Sequence, residues 1–287
     1  MTSIEKQVEK LMREALKKNQ KEIEGALIKP LSEEYPFSTN GVYFFIGKMG
    51  TGKSHSIWKH IFMTEHMGRK PYYDLILFCS TSGAMDKTSE TFAKKIKTPI
   101  QFVKEKHLMS VLERHLRRKN KYYAMVRHVL SKMRESSEEM DRIIAKHGLD
   151  DIEDRIVYVA TKIAKYGTNS YPFHTLLILD DFAGSPLFKG QNPPLGRLLT
   201  KTRHYNLTAI IVAQTIKFVP LNLKRMATDM IIWGRFSDED FMTMLDQTPN
   251  SLNKKQALAE YHTLTGPHDR LIINITADKH TFIHDDD

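Results

Sequence analysis

Residues 44–56 read FFIGKMGTGKSHS, and this stretch decides the fold. An apolar run ends at Gly47, and Gly52, Lys53 and Ser54 then complete the spacing G-x-x-x-x-G-K-[ST] of a phosphate-binding P-loop. Glycines let the backbone curl until successive N–H groups point inward at phosphate oxygens. At this spacing we expect Lys53 to reach the β- and γ-phosphates of a nucleotide and the Ser54 hydroxyl to bind Mg²⁺. The predicted nucleotide-binding residues are Gly47, Lys48, Met49, Gly50, Thr51, Gly52, Lys53, Ser54 and His55.

The sequence on either side of the loop fits this interpretation. Residues 42–46 predict a buried strand, and residues 56–62 continue as a helix whose positive end faces the same phosphates. Mostly parallel strands joined by helices would form a three-layer α/β sandwich. Further apolar runs predict strands at 74–80, 101–103, 174–181, 207–214 and 229–233, and a terminal hairpin at 271–275 and 281–283.

The composition restricts the class of protein. The chain has 287 residues, a formal net charge of +9 and a pI near 9.3, and this basic excess favours an anionic partner. The single cysteine, Cys79, excludes an internal disulfide framework, argues for a reducing compartment and lies in an apolar run that predicts a buried thiol. The N-terminus lacks a signal-peptide core, and no apolar run approaches the roughly 18 residues that span a bilayer. We therefore expect an intracellular protein without a transmembrane segment.

The chain divides near residue 38. Residues 1–37 predict an amphipathic helix and a linker, because apolar side chains recur at helical spacing from Ile4 to Leu16. This helix packs either on the core or on a neighbouring subunit. Residues 38–287 predict one nucleotide-binding domain with a charged helical insertion at about 104–166.

The charges of the insertion lie in two blocks. Residues 104–134 hold ten lysines and arginines against two glutamates, and residues 135–154 hold eight acids against two bases. One interpretation is a solvated helical hairpin in which the blocks pair with each other. The other is a surface that faces nucleic acid or a second subunit, and the two are compatible.

Two motifs supply polar side chains at strand ends. The run at 174–181 ends in Asp180 and Asp181, and we predict that Asp180 supports Mg²⁺ while Asp181 orients or deprotonates the attacking water. The alternative is a pair of turn residues. Gln214 ends the run at 207–214, where its amide would sense the γ-phosphate or would only cap the strand.

Residues 189–235 contain eight lysines and arginines and only one acidic residue. An arginine finger from a neighbouring subunit would compensate charge in the transition state of hydrolysis. Arg203 is our first choice, and Arg197 and Arg225 are the next candidates; the alternative for each is a solvated surface arginine.

Together these motifs resemble the FtsK–HerA superfamily, and more narrowly the DNA-packaging ATPases of large double-stranded DNA viruses and virophages. The resemblance covers residues 38–235. Its most specific part is the acidic pair followed by Arg-His, an apolar strand that ends in Gln, and V-P-x-N-x-[KR]. The matching stretches are GKMGTGKS at 47–54, LLILDDFAGSPLF at 176–188 and TRHYNLTAIIVAQTIKFVPLNLKRMATDMIIW at 202–233.

The resemblance implies a RecA-like, Mg²⁺-dependent ATPase that forms a hexameric or pentameric ring around double-stranded DNA and drives it into a capsid. It also implies contact with capsid or packaging-vertex proteins, and a location in the host cytoplasm, the virus factory or the virion. Lys217, Lys224 and Arg225 follow the sensor and are predicted to grip DNA. The chain departs from the family at Asp181, where many members carry Glu.

Two other functions remain open on the sequence alone. A P-loop kinase would transfer phosphate to a small acceptor and would use the helices at 104–154 as a lid. A nucleotide-gated scaffold would bind ATP with little hydrolysis. The strand-end Gln214 and the arginines argue against the kinase, and Asp181 with Gln214 argues against the scaffold.

Overall fold

The structure, a computed structural model, describes residues 40–66, 73, 75–82, 85–132, 174–189, 193–234, 236–248, 252–275 and 279–283. The helix predicted within residues 1–37 and the acidic block at 135–154 lie outside these residues. Among the described helices, none combines the length and the apolar character needed to cross a membrane.

An eight-stranded sheet organises the described part of the chain. The strands lie in the order β3-β2-β4-β5-β1-β6-β7-β8. All pairs from β3 through β6 are parallel, whereas β7 pairs antiparallel with β6 and with β8. The predicted mostly parallel sheet with a terminal hairpin is therefore confirmed. The strand bounds are β1 Val42–Ile46, β2 Leu75–Ser80, β3 Ile100–Phe102, β4 Thr175–Asp180, β5 Leu207–Ala213, β6 Asp229–Trp233, β7 Arg270–Asn274 and β8 Lys279–Ile283.

Helices connect these strands. Short 3₁₀ turns follow β4 at Phe182–Gly184 and Pro186–Phe188, and another follows β5 at Ile216–Phe218. The α-helices of the described residues are α1 Lys53–His66, α2 Lys87–Ala93, α3 Glu105–Lys132, α4 Pro194–Leu199, α5 Thr202–Tyr205, α6 Leu221–Lys224, α7 Asp238–Asp246 and α8 Lys254–Tyr261.

Both faces of the sheet are covered. Because side chains alternate along a strand, Phe44 of β1 packs in one apolar cluster and Phe45 in the other. The first cluster takes side chains from α3, α4, α6, α7 and α8, and the second takes Ile57, Trp58 and Ile61 from α1. Buried apolar strands between two helical layers confirm the predicted three-layer α/β fold.

The charged segment begins as a core helix. Leu108, Leu112 and Leu116 repeat every four residues on one face of α3 and are fully buried, so the first half of α3 is part of a helical layer. Lys119 of the same face donates to Thr175 Oγ1 and to the carbonyl of Asn206, at the amino edge of the sheet. The 28 residues of α3 span about 42 Å, so the helix continues beyond this edge.

Candidate nucleotide-binding site

The predicted phosphate loop connects β1 to α1 at the carboxyl edge of the sheet. Gly50 and Gly52 have φ values of 79° and 92°, a left-handed conformation that glycine adopts without a steric penalty. A Cβ at Gly47 would lie 2.7 Å from Thr51 Oγ1, so the loop is tightly wound at its first residue as well. Thr51 Oγ1 donates to the carbonyl of Lys48 across the curl, at 2.9 Å. The residues between β1 and α1 therefore fold into a compact loop.

Lys53 lies in the middle of this curl. Its ammonium donates to the carbonyl oxygens of Gly47 and Lys48, at 2.6 and 2.7 Å. Burial lowers the pKa of Lys53, and the carboxylates of Asp180 and Asp181 oppose this effect. The lysine is thus within electrostatic range of both predicted acids, as a phosphate-binding lysine beside a metal site should be.

The two acids stand at the end of β4. Asp180 is half-buried, and burial together with the nearby carboxylates of Asp86 and Asp181 raises its pKa to about 6. Asp181 is exposed, and its φ of 56° turns the chain sharply out of the strand. Thr81, which follows β2, fixes this turn by donating from its N–H to the Asp180 carbonyl and from its hydroxyl to the Asp181 carbonyl.

These residues fit a magnesium ion. Ser54 is the second residue of α1 and Asp180 is the last residue of β4, so a hydroxyl-bearing residue and a carboxylate-bearing residue both lie at the carboxyl edge of the sheet, each half-buried. Mg²⁺ prefers such oxygen ligands and usually takes its other ligands from phosphate groups and water. Among the described residues, no group of three or more His, Cys, Asp or Glu side chains is arranged so that it could hold a metal ion by itself. Ser54 and Asp180 would therefore hold the ion only together with ligands from outside the chain, and their role stays a prediction.

Gln214 lies between the loop and the acids. It follows β5 directly and is exposed, and β5 separates β1 from β4 in the sheet. The N–H of Gly47 donates to the carbonyl of Ala213 at 3.2 Å, which joins the phosphate loop to the residue before Gln214. Gln214 thus lies at the carboxyl edge between the strands that carry the loop and the acids, and its role as a sensor stays a prediction.

The arginines lie elsewhere. Arg203 is exposed on α5, next to the amino edge of the sheet, where Thr202 Oγ1 donates to the carbonyl of Asn40. The seven residues of β5 separate it from the phosphate loop by about 20 Å. Arg203 therefore lies too far away to reach the loop of its own chain, and its role as a finger for a neighbouring subunit stays a prediction. Arg197 on α4 and Arg225 after α6 are also exposed.

The predicted DNA-gripping loop needs a correction. Lys224 is 4% exposed, burial lowers its pKa, and its ammonium donates to the side-chain oxygen of Gln247. The prediction is wrong for this residue, because the single turn of α6 directs Lys224 inward. Lys217 is exposed but forms an ion pair with Asp240 at 2.6 Å, and Arg225 remains exposed.

Three residues near the site carry no motif and were not predicted. Asp86 caps α2 by accepting from the N–H of Ser89 at 2.6 Å, and its charge acts on Asp180. Glu105 begins α3 and accepts from Ser185 Oγ in the turn after Asp181. His268 lies against the phosphate loop, with Nδ1 at 3.3 Å from the carbonyl oxygen of Thr51. Only Asp86 had a local signal, the capping position before a short helix.

Comparison with known proteins gives one family. The sequence model of the poxvirus A32 protein family matches residues 102–279, more than half of the chain. This match confirms the resemblance to a viral family predicted from the sequence. No curated protein matches the chain at a significant level.

Several solved structures are similar to the chain. The genome packaging NTPase B204 from Sulfolobus turreted icosahedral virus 2, in complex with AMPPCP, is 13% identical, and the match covers 84% of this chain and 96% of that one with a TM-score of 0.47. The DNA-packaging ATPase B204 from Sulfolobus turreted icosahedral virus is 13% identical, with 85% and 98% covered and a TM-score of 0.47. EssC (ATPases 2 and 3) from Geobacillus thermodenitrificans is 11% identical, with 86% and 41% covered and a TM-score of 0.48.

Proposed function

The chain belongs to the poxvirus A32 protein family, and we propose that it is an ATP-driven motor that moves double-stranded DNA in the packaging of a viral genome. The observation that carries the proposal is the position of Lys53. Its ammonium lies in the curl of the phosphate loop and within electrostatic range of both Asp180 and Asp181. The residues that we propose for phosphate binding, metal support and water activation therefore lie at one edge of the sheet, and phosphoryl transfer needs these three functions together.

The roles of the chain's residues follow from their positions. The loop N–H groups and Lys53 bind the phosphates of ATP, and Ser54 and Asp180 hold Mg²⁺. When bound, the ion neutralises charge on the β- and γ-phosphates. Asp181 projects from the strand end into solvent, so it can accept a proton from the attacking water. Gln214, between the loop and the acids, orients that water and responds when the γ-phosphate leaves.

A ring accounts for the position of the arginines. Arg203 lies at the edge of the sheet opposite its own phosphate loop, so its use in catalysis requires a neighbouring subunit. A finger supplied in this way stabilises the charge that develops during phosphoryl transfer. We therefore propose that Arg203 of one subunit completes the site of the next, with Arg197 and Arg225 as the other candidates. The number of subunits and the cellular location remain predictions.

The exposed face of α3 offers a surface for DNA. Glu113 is its one exposed acid between residues 104 and 119, and it lies 3.6 Å from Arg117 in a solvated pair that neutralises little of the surface. A motor should bind the phosphate backbone without reading sequence, and a row of bases provides such contacts. The exposed bases of this face are Lys106, Arg114, Arg117 and Arg118, and the exposed Lys104 lies directly before the helix.

An ATPase assay with and without duplex DNA tests the proposal. Phosphate release by the purified chain should rise when duplex DNA of any sequence is added, and the gain should shrink steeply with salt, because binding to phosphates releases counterions. Lys53→Ala should remove turnover under all conditions. Equal rates with and without DNA would contradict a motor. Transfer of the γ-phosphate to a small acceptor instead of water would identify a kinase, and ATP binding without turnover would identify a scaffold.

A further inference from the structure

A histidine far away in the sequence lies against the phosphate loop. His268 precedes β7, which pairs antiparallel with β6, so the chain returns at this point to the carboxyl edge of the sheet. Its Nδ1 is 3.3 Å from the carbonyl oxygen of Thr51. A Cβ added to Gly52 would come within 2.9 Å of the same nitrogen. The ring therefore packs directly on the Thr51–Gly52 peptide, next to Lys53.

The turn that carries His268 is held in place by its own hydrogen bonds. The N–H of Gly266 donates to Asp269 Oδ2 at 2.8 Å, and the Asp269 carbonyl accepts from the N–H of Gly234, which follows β6. The guanidinium of Arg270 donates to the His268 carbonyl. Asp269 and Arg270 are buried, so the turn is anchored to the sheet. The imidazole is thus presented to the loop by a fixed backbone.

The contact determines how the peptide of the loop is oriented. A carbonyl oxygen only accepts hydrogen bonds, so Nδ1 must carry the proton in this contact. In a trans peptide the C=O and the following N–H point in opposite directions, so a Thr51 carbonyl directed at His268 turns the Gly52 N–H away from it. Glycine, at a φ of 92°, gives this peptide little steric resistance to rotation. A hydrogen bond from a residue outside the loop can therefore fix the orientation of the Thr51–Gly52 peptide.

We propose that His268 is a positioning residue of the phosphate loop. Its Nδ1–H holds the Thr51 carbonyl, and this bond keeps the Gly52 N–H directed at the inner side of the loop, where it binds the phosphates of the nucleotide. The inference rests on the proposed binding of ATP and adds a residue from the far end of the domain to it. Loss of the bond leaves the loop in place and lowers its affinity for phosphate groups.

Three substitutions of His268 distinguish the effect of the Nδ1–H hydrogen bond from the effect of packing by the imidazole ring. Asn places an amide N–H close to the position of Nδ1, Gln carries its amide one methylene further, close to the position of Nε2, and Ala has no donor. We expect the His268→Ala and His268→Gln variants to bind ATP and ADP about tenfold more weakly than the wild type, because each lacks one hydrogen bond. The His268→Asn variant should retain most of the wild-type affinity, because its amide can replace that bond. Fluorescence titration with a labelled ATP analogue and calorimetry with ADP measure these affinities.

The outcomes are distinct. Equal affinity of the Ala variant and the wild type would overturn the positioning role while leaving ATP binding intact. Equal losses in Asn and Gln variants would show that packing, and not the Nδ1–H bond, matters, and would also overturn it. Melting temperatures of the Asn and Gln variants serve as the control for folding, since both keep a polar side chain at this site. A wild type that binds no ATP would refute the proposed function itself, and the inference with it.

Discussion

Asp229 should make the protein less stable as the pH rises from about 4 to 7, which is opposite to the usual effect of a carboxyl group. It is the first residue of β6 and is 1% exposed, and neither carboxylate oxygen has a hydrogen-bond partner among the residues that the structure describes. Burial raises the pKa of Asp229 from 3.8 to about 7. Such a carboxyl group is held in its neutral form, because an isolated charge in an apolar environment is costly.

The sign of the effect follows from proton binding. Between about pH 4 and pH 7 the folded chain keeps a proton on Asp229 that the unfolded chain has released, so the free energy of unfolding falls as the pH rises through this range. Above pH 7 the loss is constant. About three pH units at roughly 1.4 kcal/mol each give a total loss of about 4 kcal/mol at pH 8, and a loss of only about 1 to 2 kcal/mol at pH 5.

The substitution Asp229→Asn tests this reasoning, because Asn has the same size and cannot ionise. We expect the variant to be more stable than the wild type, with a gain about 2–3 kcal/mol larger at pH 8 than at pH 5. Urea unfolding followed by the fluorescence of the buried Trp58 and Trp233 measures both values. The exposed Glu113→Gln serves as the control and should show no such pH dependence. A difference in stability between variant and wild type that is the same at pH 8 and pH 5 would refute the argument, because it would show that the pKa of Asp229 is not raised in the folded chain.

Three other experiments test the site and the assembly. Asp181→Asn should bind ATP normally and hydrolyse it about 10²-fold or more slowly, measured by phosphate release, and normal turnover would exclude its role as a base. Arg225→Ala should weaken duplex DNA binding and reduce its salt dependence, whereas Lys224→Ala should mainly lower the melting temperature; equal effects on DNA binding would contradict the buried position of Lys224. Mixing Arg203→Ala subunits with Lys53→Ala subunits should restore ATPase activity, since one keeps the loop and the other the finger, and full activity of a dilute monomer would rule out a finger in trans.

The sequence predicted the parts of the site that are contiguous in the chain. The loop from Gly47 to Ser54, the strand that ends in Asp180 and the strand before Gln214 each have a local pattern of apolar and polar residues, and local patterns specify local structure. Local patterns of apolar residues also predicted that these strands are buried and that the chain contains a terminal hairpin. The polar residue at each strand end could therefore be assigned to the carboxyl edge of the sheet before the structure was known.

The contacts between distant segments could not be predicted in this way. No local pattern shows that β5 lies between β1 and β4, that Arg203 lies at the opposite edge from the loop, or that α6 turns Lys224 inward. His268 stands 217 residues from its partner Thr51, and only the antiparallel pairing of β7 with β6 brings the two together. Such placements depend on strand order and packing, which single residues do not encode.

Movement of DNA is the central claim, and displacement of a third strand from a duplex measures it most directly. A labelled oligonucleotide is bound as a triplex far from the end of a long duplex, and the protein is added with ATP and Mg²⁺. The account predicts ATP-dependent release of the oligonucleotide by the wild type, and none by Lys53→Ala or with a non-hydrolysable ATP analogue. Steady ATP hydrolysis on this duplex without release of the third strand would contradict a translocating motor.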